Sequence, residues 1–480
     1  MPQEKQIGIT VKKAHDLPEW YNQVILKSEF ADHAPVSGCM VIRPLGYAVW
    51  ENIVKFFDAN IKKHGVRNAY FPLFIPESFF KKEAEHAEGF KAEVAWVAAK
   101  DDSTERLALR PTSETIIYDS YAKWIRSWRD LPLRINQWCN IVRWEVKDVK
   151  LFLRSREFLW QEGHCVYESE EECHKETLLF LEEYRRVAEE LLAIPVITGQ
   201  KTEKERFAGA LRTYTIEGFM PDGKGLQLGT SHDLGTGFAK AFGIRYLGRD
   251  EKEHVPWQNS WGISTRLIGG MIMCHSDDKG LVLPPNVAPI KVVIVPILFD
   301  STTEQVLNVC RKVKDMLLSA MIECVLDDRP QYTPGWKYNE WELKGVPIRL
   351  EIGPKDIEKN QAVLVRRDTS KKNPVSISGI EKTIQSVLSE IQKNLYDTAK
   401  KHLTESIVDV KTWVEFVDAI ARKKLVLANF CGREACESDI KDKTNGVTSR
   451  CIPLEDKPVE GACINCGEIA GYKVYFARSY

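Results

Sequence analysis

Phe158-Leu159-Trp160-Gln161-Glu162-Gly163-His164 opens a run that continues to Tyr167 with the alternation of an extended segment. Successive side chains of a strand point to opposite faces, so Phe158, Trp160, Glu162 and His164 share one face. On a strand packed into an ordinary core that face is aliphatic. Two aromatics, a carboxylate and an imidazole instead suit the wall of a cavity whose ligand is partly apolar and partly charged.

Residues 133–145 read as a second long strand, with Arg143 and Glu145 on one face and Trp144 on the other. Between the two lies a loop carrying Lys147, Lys150, Arg154 and Arg156. Paired antiparallel, the strands turn an arginine, two glutamates, two aromatics and a histidine towards one cavity. The competing reading is a solvated hairpin with charged decoration, and the interleaving of aromatic with ionisable residues weighs against it.

Three further segments can converge there. Leu109-Arg110-Pro111-Thr112-Ser113-Glu114 sets a hydroxyl and a carboxylate at a strand-to-helix turn. By itself it is a capped helix with an acidic first turn, leading into the stripe Ile117, Tyr121, Trp124, Ile125 and Trp128. Gly225 to His232 is a short polar strand with glycines that let a ligand approach, and taken alone it equally fits an edge strand. Asn259 to Arg266 passes from an extended segment into a helix with Arg266 in its first turn. Upstream, Trp50, Ile53, Val54, Phe57 and Ile61 recur at helical spacing before Gly65, and 68–74 read as a strand interrupted by Pro72.

The whole chain has 480 residues, too many for one core, and its breaks suggest three domains. Residues 1–285 hold the segments above. Leu283-Pro284-Pro285-Asn286 ends them, and 286–400 alternate strand and helix as a small α/β domain. Residues 401–480 begin with helix and end in a cysteine cluster. Lys plus Arg number 67 and Asp plus Glu 68, so any polyanion must be met by local basic surface. No run approaches the roughly 20 apolar residues of a membrane span, and the N-terminus lacks a signal-peptide layout. A cytoplasmic protein is expected. Of 12 cysteines, Cys431-x₄-Cys436 and Cys463-x₂-Cys466 form a four-thiolate pattern suited to structural, tetrahedral Zn²⁺, leaving Cys451 as the odd one out.

The order of these segments resembles the class II aminoacyl-tRNA synthetases. Arg110 to Glu114, Phe158 to His164 and Gly229-Thr230-Ser231-His232 are similar to the prolyl-tRNA synthetase family, and the cysteine-bearing tail to its archaeal and eukaryotic-like type. The resemblance implies an α/β (α+β) protein: an antiparallel-sheet catalytic core, an α/β anticodon-binding domain and a small zinc-binding α/β domain. It implies ATP-dependent ligation of L-proline to tRNA(Pro) through a prolyl-adenylate, with Mg²⁺ on the phosphates and cysteine and alanine misactivated. Arg143 and Arg266 are then the catalytic cations. Proline falls to Thr112, Glu114, Arg143, Trp160, Glu162, His164, Phe207, Thr230, His232 and Ser264, and ATP to Arg143, Glu145, Arg154, Phe158, Gln227, Thr230 and Arg266. Glu351 and Lys355 become candidates for reading anticodon bases. A homodimer with its interface at 40–76 is also implied, as is a terminal Tyr480 tucked towards the active site. A paralogue that binds tRNA without catalysis is the alternative, and the full set of expected side chains speaks against it.

Overall fold

The computed structural model describes residues 8–84, 93–98, 105–455, 457–459 and 461–480. Seven strands form the catalytic part of the main sheet: β1 (Arg67–Asn68), β2 (Leu133–Val142), β3 (Glu157–Tyr167), β4 (Ile197–Gln200), β5 (Arg212–Phe219), β6 (Lys224–Gly235) and β7 (Trp257–Ser264). They lie in the order β4-β5-β6-β7-β3-β2-β1, antiparallel except for the β1–β2 pair.

Register turns alternation along each strand into rows across the sheet. His164 lies opposite Ser260, Ser260 opposite His232, and His232 opposite Thr213. The next row is Glu162, Gly262, Thr230 and Thr215, and the one beyond pairs Trp160 with Ser264. All of these but Thr215 line the cleft. The opposite face takes the large apolar groups: Trp261 stacks on Phe180 with ring centroids 4.0 Å apart, backed by Phe57 and Tyr184. Phe57 comes from helix α1 (Pro44–Lys63) and Phe180 and Tyr184 from α3 (Glu170–Arg186), with α2 (Glu114–Trp124) between them in the chain. Gly163, opposite Trp261, is required by this packing: a Cβ there would sit 2.1 Å from the indole.

Helix α1 ends as its sequence predicts, with Gly65 in the left-handed region at φ +77°. Three local expectations need correction, and one alternative left open is decided. Strand β2 stops at Val142, because Arg143 to Val146 form a turn in which Val146 N–H donates to the Arg143 carbonyl at 3.4 Å. The 68–74 segment is no continuous strand: only Asn68 of it pairs in β1, and pairing resumes at Phe74–Pro76, against Leu107–Leu109. Ser113 precedes α2 without capping it, its hydroxyl being drawn to the Glu162 carboxylate. Gly225 to His232 belong to an interior strand, since β6 is paired on both sides.

After α4 (Arg266–His275) comes a second sheet of order β9-β8-β10-β11-β12, made of β8 (Val292–Pro296), β9 (Cys324–Leu326), β10 (Ile348–Ile352), β11 (Gln361–Arg366) and β12 (Lys372–Ser376). Strand β12 and a helix at Pro334–Leu343 carry no clear signal in the sequence. Helix α5 (Thr303–Ser319) covers this sheet together with α6 (Ile380–Ser406), which runs unbroken across residue 400. Strands β13 (Ile407–Val410), β14 (Leu425–Phe430), β15 (Val447–Pro453) and β16 (Tyr472–Ser479), with α7 (Glu434–Lys443), complete the chain. They extend the catalytic sheet to eleven strands among the described residues, through β15 against β4 and the end of β16 against Lys224–Gly225.

Candidate active site

Above the rows of polar residues lies a solvent-connected cleft of about 990 Å³. Of the residues assigned to proline or ATP from sequence, all line it except Glu145 and Arg154. Both of these are exposed: Glu145 because the turn at Arg143 breaks the alternation, and Arg154 because it sits in the turn closed by hydrogen bonds to Lys150. Thr213, Ser260, Gly262 and Glu205 line the cleft and were missed. The period of two along 257–264 was signal enough for Ser260 and Gly262, which share a face with Ser264. Glu205 lies on a loop, where no periodicity exists.

One end of the cleft is built around two buried carboxylates, Glu114 and Glu162. The Thr112 hydroxyl donates to Glu114. Ser113 Oγ and Gln137 Nε2 donate to Glu162 Oε1, the latter at 3.0 Å, and His164 Nε2 lies 3.1 Å from Oε2. The other imidazole nitrogen of His164 is 3.0 Å from the Tyr118 hydroxyl, so that ring is held at both ends. His232 meets Thr213 Oγ1 at 3.0 Å, and Phe207 lies over it with centroids 4.6 Å apart. Burial, reinforced by His164, pushes His232 down to about 3, leaving it neutral at physiological pH. This end therefore offers negative charge, aromatic walls and an uncharged floor, the chemistry that accepts a small ammonium with an apolar body.

Cations occupy the other end. Arg143 stands 5.7 Å from the Phe158 ring, and its Nε donates to the Pro111 carbonyl at 3.5 Å. Burial lowers its pKa, against the pull of Glu145, Glu114 and Glu162. Arg266 donates to the Leu153 carbonyl at 3.1 Å and the Gln227 carbonyl at 3.3 Å. Burial and then Arg143 lower it to about 10, so it still carries its charge. A guanidinium pair beside an aromatic ring suits phosphate oxygens next to a planar base.

Away from the cleft, the Sγ atoms of Cys431, Cys436, Cys463 and Cys466 all lie within 4.8 Å of one another. Those of Cys431 and Cys466 are 3.8 Å apart. A zinc–sulfur distance of about 2.3 Å gives a tetrahedron with edges of about 3.8 Å, so this donor set can hold a metal. Buried Cys451 stands outside it, on β15. In the second sheet, Glu351 is buried and paired with Arg349 at 2.8 Å and Lys372 at 3.1 Å, whereas Lys355 is exposed.

Residues 90–275 match the family described as tRNA synthetase class II core domain (G, H, P, S and T), 291–387 the anticodon binding domain, and 413–480 the C-terminal domain of prolyl-tRNA synthetase. Proline--tRNA ligase of Alkaliphilus oremlandii is 52% identical, over 97% of this chain and 96% of its own. The chain belongs to the prolyl-tRNA synthetases, class II ligases of proline and tRNA. Proline--tRNA ligase 2 of Clostridioides difficile, another prolyl-tRNA synthetase, is 49% identical over 99% of both chains. Two crystal structures of prolyl-tRNA synthetase from Cryptosporidium parvum are similar over 99% of this chain. One, complexed with halofuginone and AMPPNP, is 45% identical with a TM-score of 0.95 over 98% of that chain. The other, with L-proline and AMP, is 44% identical with a TM-score of 0.93 over 100%. Among the described residues of this prolyl-tRNA synthetase, no helix is long and apolar enough to cross a membrane.

Proposed function

We propose that the cleft carries out both half-reactions of proline ligation to tRNA(Pro). A proline carboxylate oxygen attacks the α-phosphorus of ATP and pyrophosphate leaves. The terminal ribose hydroxyl of tRNA(Pro) then attacks the acyl carbon and AMP leaves. Holding the reactants together and stabilising the charge that gathers on the α-phosphate supply most of the rate. The observation that carries this reading is the polarity of one continuous cleft, carboxylates and the neutral His232 imidazole at one end and Arg143 with Arg266 at the other.

Thr112 and Glu114 accept the two protons of proline's secondary ammonium. Its ring lies among Trp160, His164, Phe207 and His232, above Thr230 and Ser264, with Glu162 beneath. Arg143 spans the substrate carboxylate and the α-phosphate. Phe158 and the Arg266 plane enclose adenine, and Gln227 meets the ribose. The exposed Glu145 and Arg154 complete the ATP contacts, Arg154 at the outer phosphates. Mg²⁺ belongs on those phosphates, and Zn²⁺ in the four-thiolate site, where no position is left for water and its part is structural.

The same reading makes the enzyme a cytoplasmic homodimer. The 40–76 region supports that interface by exposing Val41, Tyr47, Tyr70 and Phe74. A pocket of this size separates near neighbours only modestly, one methylene being worth about 1–3 kcal/mol, so alanine and cysteine are activated more slowly than proline. Exchange of labelled pyrophosphate into ATP, run across the amino acids with and without tRNA, is the test. Proline-dependent exchange with weaker cysteine and alanine signals is expected. No proline dependence refutes the assignment, and no cysteine signal at millimolar concentration refutes the discrimination argument.

A further inference from the structure

The loop at 201–211, between β4 and β5, supplies Glu205 and Phe207 to the cleft, and its backbone is tied to the sheet at its two ends, Lys201 N–H donating to the Thr213 carbonyl at 2.8 Å and Leu211 N–H to the Asp233 carbonyl at 2.7 Å. Between those ends, Thr202 and Lys204 are anchored by the C-terminal region, more than 200 residues away in the chain. Thr202 Oγ1 donates to Glu437 Oε2 at 2.8 Å and lies 3.1 Å from Ser449 Oγ, whose hydroxyl donates to the other Glu437 oxygen. Thr202, Glu437 and Ser449 are all buried. On either side, Lys201 Nζ reaches the Arg450 carbonyl at 2.8 Å and Lys204 Nζ reaches Ser438 Oγ at 2.6 Å.

Apolar groups would dock two surfaces as well as a buried carboxylate with hydroxyls does. What the polar set adds is position. The Thr202 carbonyl accepts the Glu205 N–H at 3.1 Å. Two residues on, Phe207 N–H donates to Thr213 Oγ1 at 3.0 Å, the same oxygen that meets His232. Hydrogen bonds at Thr202 and Thr213, joined by the chain from Glu205 to Phe207, thus link Glu437 to the ring pair Phe207–His232.

We propose that Glu437 is a positioning residue for the amino-acid end of the cleft: by holding Thr202 it sets where Glu205 and Phe207 stand against His232. The inference rests on the reading of that end as the proline site. It makes the C-terminal region part of amino-acid recognition as well as an extension of the sheet.

Pyrophosphate exchange by the full-length enzyme tests it. Glu437→Ala and Thr202→Val are each expected to raise KM for proline about tenfold, the scale of one hydrogen bond to a charged acceptor. KM for ATP and kcat should stay within about twofold, as for lost ground-state binding of one substrate. The double variant should be no worse than the poorer single one, because both remove one interaction. Glu437→Gln, which keeps one acceptor and adds a donor, should recover most of the affinity. Thr202→Val leaves the cysteine-bearing helix untouched and decides the matter if Glu437→Ala yields no folded protein. Unchanged KM for proline, a parallel rise in KM for ATP, or additive effects overturn the proposal while leaving the function intact. Wild-type enzyme without proline-dependent exchange overturns both.

Discussion

Gly262 is the centre of the second row of the cleft floor, between Glu162 and Thr230, and it leaves that centre open. A Cβ built there meets the Gln161 carbonyl oxygen at 3.3 Å and two ring carbons of Trp160 at 3.7 and 3.8 Å. The protein itself can therefore take Gly262→Ala with a shift of a few tenths of an ångström. The added methyl occupies the space assigned to the proline ring instead. Forcing one methyl group into occupied volume costs about 1–3 kcal/mol, or roughly 5- to 150-fold in kcat/KM. Alanine, whose side chain stops at Cβ, should lose less than threefold, so the ratio of the two efficiencies reports the effect free of general damage. The assay is pyrophosphate exchange with each amino acid in parallel, with the thermal transition measured alongside. Proline efficiency within threefold of wild type at an unchanged transition, or alanine falling in step with proline, would show that the ring does not lie over Gly262.

Arg143→Ala should slow adenylate formation by about 10²- to 10³-fold, the usual loss when one transition-state donor is removed, and survival of exchange within tenfold would mean that its guanidinium is no such donor. Gly163→Ala should cost about 1–3 kcal/mol of stability in chemical denaturation, since the new Cβ must displace the Trp261 indole from its stack with Phe180. Because burial depresses His232 to about 3, its folded form resists a proton that the unfolded chain accepts below about 6.5, so this stability is present above that pH and drains away as pH falls towards 3. Comparing denaturation of wild type and His232→Gln, their gap should shift in the variant's favour by about 1.2 kcal/mol between pH 7 and 5.5, and an unchanged gap would mean that His232 titrates normally. A thiol-reactive mercurial should release a single zinc ion per chain from the C-terminal cluster, with Cys463→Ser abolishing and Cys451→Ser sparing it.

Much of the site was legible because strand alternation is a local steric property. Phe158, Trp160, Glu162 and His164 share the cleft face as their spacing requires, and the stripe at 50–61 is buried as its spacing requires, Val54 only in part; in the second stripe Ile117, Tyr121 and Ile125 are buried but Trp124 is half-exposed. The same rule misled at Glu145, which was placed on one face with Arg143, because periodicity assumes a strand that the chain leaves at Val142. It also could not tell an edge strand from an interior one at Gly225 to His232, since that depends on which neighbours pair.

By itself the sequence determined which side chains of 158–164 share a face and that two closely spaced cysteine pairs stand near the C-terminus, because both follow from spacing along a few residues. The tertiary structure alone decided that His164, Ser260, His232 and Thr213 form one row, that Gly163 yields its space to Trp261, and that Glu437 reaches Thr202 from another part of the chain. These depend on backbone hydrogen bonds and packing between segments far apart in sequence. No local pattern of residues encodes that register.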